Sequence, residues 1–227
     1  MKSTFLTFIY VFVTSISFAQ HSDSLLKKDK KWCYSINGGV GFSELTKQSY
    51  GALIGDTKAL IGSMIDQSVN RSLSKNFHIG IGLGYLNPRF QRTNFYGTPV
   101  SWELKFKCLT TPVYLKVVSY KLKFLNPFVS IGYMPCFVIN ANFKRYFNGQ
   151  MDREVSLPFS TYCSFIFTSL GIQKSLNKKF DLKIEMRYIH THKPFVYKYE
   201  NTSMPETITE QYSFKIFSGL IGFNYKF

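Results

Sequence analysis

Tryptophan is almost missing from this chain of 227 residues, which has only Trp32 and Trp102. Cysteine is scarce too, with Cys33, Cys108, Cys136 and Cys163. The cysteines form no Cys-x-x-Cys pair and keep no Cys/His ligand spacing, which excludes the common zinc folds. Past the first twenty residues there is no run of about 18 apolar side chains, so a chain that crosses a membrane as helices is excluded. Acidic residues are few: 13 stand against 28 Lys and Arg, a formal charge of +15.

What is abundant is aromatic: 18% of the chain, with 23 Phe and 15 Tyr. These rings sit in a pattern. Phe180, Leu182, Ile184, Met186 and Tyr188 alternate with Asp181, Lys183, Glu185 and Arg187. Period two puts every apolar group on one face of an extended strand and every charge on the other. The Phe and Tyr that bound the apolar face are about 20 Å apart along a tilted strand, close to the aromatic-edged apolar band of an outer-membrane barrel. A second stretch repeats the frame: Phe77, Ile79, Ile81, Leu83 and Tyr85 alternate with His78, Gly80, Gly82 and Gly84. Both apolar sets are expected to face lipid. The four charges of the first stretch are expected to face inward and pair, since unpaired charges there would be costly.

The amino terminus reads as an export signal. Lys2 begins it, residues 5–18 are its apolar run, and Ser17-Phe18-Ala19 is a small-x-small cleavage site ahead of Gln20. Residues 1–19 are therefore expected to be a signal peptide, 20–31 a polar periplasmic lead-in bearing Lys27, Lys28, Lys30 and Lys31, and 32–227 the barrel. A basic exported chain points to anionic lipid headgroups and lipopolysaccharide phosphates as partners, and away from nucleic acid. Cys108 and Cys136 are equidistant from a turn near Leu122 and can face each other across two strands, but buried free thiols are the preferred reading.

Taken in order, the chain gives eight strands: 32–42, 57–70, 77–93, 102–118, 126–140, 158–174, 180–193 and 211–227. Imperfect alternation in the second predicts a bulge, and Pro112 predicts a distortion in the fourth. The connections alternate between long (43–56, 94–101, 141–157, 194–210) and short (71–76, 119–125, 175–179). Long loops outside and short turns in the periplasm are the rhythm of an outer-membrane barrel. The expected fold is thus all-β, an eight-stranded antiparallel up-and-down transmembrane β-barrel with an N-terminal signal peptide. At that size the lumen is filled by side chains.

The chain ends Gly-Phe-Asn-Tyr-Lys-Phe, and Phe223, Tyr225 and Phe227 share one face. This ending resembles the terminal strand of bacterial outer-membrane proteins, and the resemblance implies recognition by the barrel-assembly machinery. Together with Phe18-Ala19-Gln20, the Phe77–Tyr85 frame and Leu109-Thr110-Thr111-Pro112-Val113-Tyr114-Leu115-Lys116, it resembles the small outer-membrane β-barrel family of Bacteroidota, often termed PorT-like. Thr111-Pro112-Val113 stands where that family commonly has an Ile-Pro-Leu-like stretch. The resemblance implies location in the outer membrane, with one branch of the family tied to protein secretion.

The expected role is a membrane anchor with a filled polar lumen, whose outer loops 141–157 and 194–210 contact a protein partner or a surface glycan. Tyr197, Lys198 and Tyr199 lie in the second loop. Two alternatives stand beside it: a lipid A-modifying enzyme, for which His190 and His192 on one face could supply a base, and a narrow channel or secretion-associated barrel. No Ser-His-Asp spacing and no third metal ligand accompany the two histidines, so no enzyme activity, catalytic residue, cofactor or metal is expected.

Overall fold

The computed structural model describes residues 32–49, 56–93, 99–120, 125–157, 161–200 and 207–227. The leader, its Ala19–Gln20 junction and the lysine-rich lead-in lie outside the described residues.

Among the described residues, twelve strands form one antiparallel sheet. They are β1 (Trp32–Ser49), β2 (Asp56–Ser72), β3 (Phe77–Asn87), β4 (Arg89–Thr93), β5 (Val100–Thr110), β6 (Val113–Val118), β7 (Asn126–Phe147), β8 (Gln150–Leu157), β9 (Thr161–Ser175), β10 (Phe180–Lys193), β11 (Phe195–Glu200) and β12 (Thr207–Lys226). The pairings run from β1 through β2, the β3–β6 strands, β7, β9 and β10 to β12, which pairs back onto β1.

The expectation of eight strands is therefore corrected to twelve, for two physical reasons. First, proline has no N–H for a ladder. Pro88 separates β3 from β4, Thr111-Pro112 separates β5 from β6, and Pro194 separates β10 from β11. Second, two stretches read as loops are extended. Residues 141–157 are the end of β7 and all of β8, and 194–210 contain β11 and the start of β12. The β7–β8 hairpin turns on Asn148 (φ 50°) and Gly149 (φ 79°), and two successive left-handed residues make the tight turn that matches strand twist.

The break at Pro88 is stitched from two other strands, β1 and β5. Ser43 Oγ on β1 donates to the Arg89 carbonyl and accepts from Arg89 N (2.7 Å), while Pro88 O accepts from Phe106 N at 3.0 Å. Opposite it, β2 pairs with β3 as far as Ser63–Asn87 and resumes with β4 at Ala59–Phe90. Three residues of β2 thus face two across the break, and this is the bulge that the imperfect alternation predicts.

The two short turns described in full share one design. Leu73 N bonds Phe77 O (2.8 Å), and Leu176 N bonds Phe180 O (2.9 Å). Ser74 Oγ accepts from Phe77 N, and Asn177 Oδ1 accepts from Lys179 N and Phe180 N, the local side-chain bonding that favours Ser and Asn in turns. Both turns lie at the same end as the chain terminus, where Lys226 N bonds Lys179 O and Phe227 N bonds Trp32 O (3.1 Å).

Outward, the sheet is apolar. Ile36, Val40, Phe42, Ile61, Ile65, Val129, Ile131, Leu170, Phe217 and Ile221 are all exposed. Inward, several positions must be glycine because another chain segment passes there. A Cβ on Gly80 would meet the Tyr114 ring at 2.5 Å, and one on Gly132 would meet the Phe167 ring at 2.5 Å.

Candidate functional site

The inner face carries two tiers. The tier nearer the chain ends is polar. On β10, Asp181, Lys183, Glu185 and Arg187 are 2%, 4%, 2% and 5% exposed. Lys183 Nζ lies 2.8 Å from Glu185 Oε2, and Arg187 Nε donates to Glu185 Oε1 at 2.7 Å. Arg187 Nη1 reaches Asp66 Oδ2 on β2 at 2.8 Å, and Asp66 Oδ1 accepts from Asn37 Nδ2 at 2.6 Å. Asp181 is held from the rim by Ser175 Oγ (2.7 Å) and Lys226 Nζ (2.5 Å).

Alternation on β10 predicts the inward charges. It does not predict Asp66, Lys116 or Tyr114, which come from strands whose patterns are less regular. Tyr114 donates to Asn70 Oδ1 (2.6 Å) and lies 2.8 Å from Ser68 Oγ. Lys116 Nζ donates to Gln173 Oε1 at 2.7 Å and sits 4.2 Å from the centre of the Phe128 ring. The usable signal for these residues is polar identity at every second position, Asp66, Ser68 and Asn70 on β2 and Tyr114 and Lys116 on β6.

The second tier is apolar, and strand alternation does not predict it. Phe90, Phe106, Phe165, Phe195, Phe214, Met134 and Ile189 are fully buried in one cluster. Phe106 is at its centre, with ring centroids 5.8 Å from Phe90, 5.2 Å from Phe195 and 5.4 Å from Phe214. Its sequence signal is a reversal of the inner face along single strands: β9 runs from Gln173 and Ser169 to Phe167 and Phe165, and β10 from Arg187 to Ile189. Cys108, Cys136 and Cys163 belong to this cluster as free thiols. The register sets Thr110, not Cys108, opposite Cys136, and Cys163 opposite Cys136 on the other side. A cavity lined by Gly41, Ser43, Met64, Leu86 and Ile216 measures only about 10 Å³.

The outer face holds the two predicted apolar frames. Phe77, Ile79, Ile81, Phe180, Ile184 and Met186 are exposed, and Leu83, Tyr85, Leu182 and Tyr188 are half-buried among neighbours. Phe223 and Phe227 are exposed on the same face, and Tyr225 rests 5.2 Å from the Phe180 ring and 6.0 Å from the Phe227 ring. His190 and His192 are exposed at the margin of this face. Among the described residues no group of three or more His, Cys, Asp and Glu side chains is placed to hold a metal ion.

The β7–β8 hairpin projects beyond the apolar tier. Arg145 grips Asp152 with Nε (2.9 Å) and Nη2 (2.5 Å), and Lys144 lies 3.6 Å from Glu154. The Arg145 guanidinium holds the Asp152 carboxyl below the usual carboxylate range. The side chains of Tyr197, Lys198 and Tyr199 lie outside the described residues.

The architecture has known counterparts. The outer membrane protein OprG from Pseudomonas aeruginosa is 11% identical, with 89% of this chain and 99% of that chain covered, at a TM-score of 0.54. The outer membrane protein AlkL is 16% identical over 88% of this chain and 91% of its own, at a TM-score of 0.50. At such identities the likeness concerns the fold alone. No curated protein matches the chain. The family model described as outer membrane protein beta-barrel domain matches residues 18–162, well over half of the sequence. The chain belongs to that family and is a protein of the bacterial outer membrane.

Proposed function

We propose that this protein is a non-catalytic outer-membrane anchor with a sealed interior, which presents the β7–β8 and β11–β12 hairpins to a protein partner or a surface glycan. The observation that carries this reading is the two-tier interior. The charges of the polar tier are buried and paired, and the rings of the apolar tier fill the width beyond them. A solute would have to break both tiers in series. The exposed apolar outer face, including Phe77–Tyr85 and Phe180–Tyr188, is read as the lipid contact, and Phe223, Tyr225 and Phe227 as the mark for the assembly machinery. Leu109–Lys116 and the aromatic ending support, as the finer assignment, the small outer-membrane barrels of Bacteroidota often termed PorT-like.

Planar-bilayer recording of the folded full chain tests the sealed interior, and silent membranes are the expected result. Steady single-channel steps would replace the anchor with a channel. Lipid A from cells with and without the protein is expected to give the same mass spectrum, and a shifted species would bring back the enzyme reading centred on His190 and His192. Cross-linking from Met151→Cys at the hairpin tip of intact cells is expected to capture a discrete neighbour. Absence of labelling at Met151→Cys by a membrane-impermeant reagent would reverse the orientation.

A further inference from the structure

Outside the sealed interior, one part of the outer wall is built unlike the rest. Along β9 the outward side chains run Ile172, Leu170, Thr168 and Ile166, and then change character at Tyr162. There, five side chains from three strands join into one exposed platform. The Phe137 and Tyr162 rings meet edge-on at 5.5 Å, and the Tyr133 and Tyr162 hydroxyls are 3.3 Å apart. His192 stands edge-on to Tyr133 at 6.0 Å, and Lys193 Nζ lies 5.1 Å from the centre of the Tyr162 ring. Among the described residues no carboxylate is ion-paired with His192 or Lys193.

We propose that this platform is a binding site for an outer-leaflet glycolipid with a phosphorylated sugar headgroup. The chemistry of the three zones matches that ligand and its pose. Ile166 and Leu170 continue into the apolar outer face, where acyl chains lie. The Tyr133 and Tyr162 rings offer surface for the apolar side of a sugar, and their paired hydroxyls keep donor and acceptor capacity for its oxygens. Lys193, with His192 beside it, supplies cationic charge for a phosphate at the level where a headgroup emerges. A soluble anion would use the cation but not the apolar strip, so the lipid is the source the geometry favours.

The proposal rests on the orientation given above, in which the hairpin end faces outward. The test is independent of it: native mass spectrometry of the full chain folded in detergent, with diphosphorylated lipid A as probe and phosphatidylglycerol as competitor. Wild type is expected to retain lipid A in preference to phosphatidylglycerol. Lys193→Ala should weaken retention about fivefold, the factor one basic side chain carries at an anionic membrane surface. Tyr162→Ala should weaken it also, and Lys193→Arg should restore it. Lys178→Ala with Lys179→Ala, in the short turn at the opposite end, removes more charge and should change nothing. Equal retention of the two lipids, wild-type retention by Lys193→Ala, or an equal loss in the turn variant would each overturn the site. A failure of surface labelling at Met151→Cys would overturn the orientation while leaving this measurement standing.

Discussion

Arg187 on β10 donates to Asp66 on β2 at 2.8 Å, although β12 and β1 lie between those strands in the sheet. Most of the intervening inner face is small, with Ser218 and Gly222 on β12 and Gly39 and Gly41 on β1, and only Leu220 stands between them as a large buried side chain. A Cβ on Gly39 would collide with the carbonyl oxygen of Gly219. The bond therefore ties together two strands that share no ladder, and it also sets the charge of the polar tier, because Arg187 serves both Asp66 and Glu185.

Removing that guanidinium leaves the buried Asp66 carboxylate without a counter-charge and Glu185 with Lys183 alone. Arg187→Leu is expected to lower the stability of the folded barrel by about 3–5 kcal/mol, the cost of breaking one side of a buried ion pair. Asp66→Asn, which keeps a hydrogen-bonding group beside Asn37, should cost less. In the double variant the two losses should fail to add by about 0.5–3 kcal/mol, since residues of one network couple. Urea midpoints followed by heat-modifiable migration measure all three, and strict additivity would mean that Arg187 and Asp66 do not act together.

The outer face makes a contrasting prediction. Ile81 and Ile184 are exposed near the middle of the two apolar frames. Arginine at either position should cost about 2–4 kcal/mol if that face meets the centre of the bilayer. Ile81→Arg and Ile184→Arg should therefore block insertion, read as loss of the folded band in outer-membrane fractions. Asp181→Asn, on the inner face at the rim, should insert. Equal and mild behaviour of all three would contradict the assignment of faces.

The last strand predicts an assembly defect. Phe227 N bonds Trp32 O, and β12 pairs with both β1 and β10, so this strand joins the two ends of the chain. Deleting Phe227 removes an exposed ring and one bond at the sheet's rim, too little to unfold twelve strands. A strong drop in assembled protein in cells, with normal refolding of the same variant in detergent, is the expected pair of results. Normal assembly in cells would sink the terminal recognition signal.

How much of this was legible in the sequence follows from which residues repeat cleanly. On β10 and β3, where alternation is strict, the sorting of side chains between the two faces follows from period two alone, and on β10 the strand limits could be read as well. Strand number could not, because it depends on events at single residues. Pro88 and Thr111-Pro112 cut ladders inside stretches that hydrophobic pattern groups as one strand, and the Asn148-Gly149 turn converts a polar stretch into a hairpin. The apolar tier was hidden for a different reason. Where both faces of a strand are apolar, as at Phe165-Ile166-Phe167, alternation vanishes and pattern no longer says which ring turns inward.

Acid should loosen the β7–β8 hairpin before it touches the sheet. The Asp152 carboxyl is held below its ordinary range by Arg145, so it binds protons less readily folded than unfolded. That difference stabilises the hairpin above the unfolded carboxylate pKa, about 3.9. The contribution disappears as pH falls through the lowered folded value. Amide exchange over residues 144–154 should accelerate in that acid window in wild type. Asp152→Asn should show the faster exchange already at neutral pH and no further change. A parallel pH response in Asp152→Asn would assign the effect to another group.

The aromatic tier separates stability from sealing. Phe106 touches Phe90, Phe195, Tyr212 and Phe214 with its ring, and Phe143 edge-on. Phe106→Ala should cost about 3–5 kcal/mol, as truncation of a buried aromatic ring does. It should nevertheless leave bilayers silent, because the ring lies among apolar side chains and the paired Arg187–Asp66–Glu185 network is left intact. Conductance should require a second lesion in that network, such as Arg187→Leu combined with Phe106→Ala. If Phe106→Ala alone conducts, the polar tier is already open to water and the aromatic cluster is the only gate. The permeability of the protein would then be governed by apolar packing, with the ion pairs serving only to hold the strands.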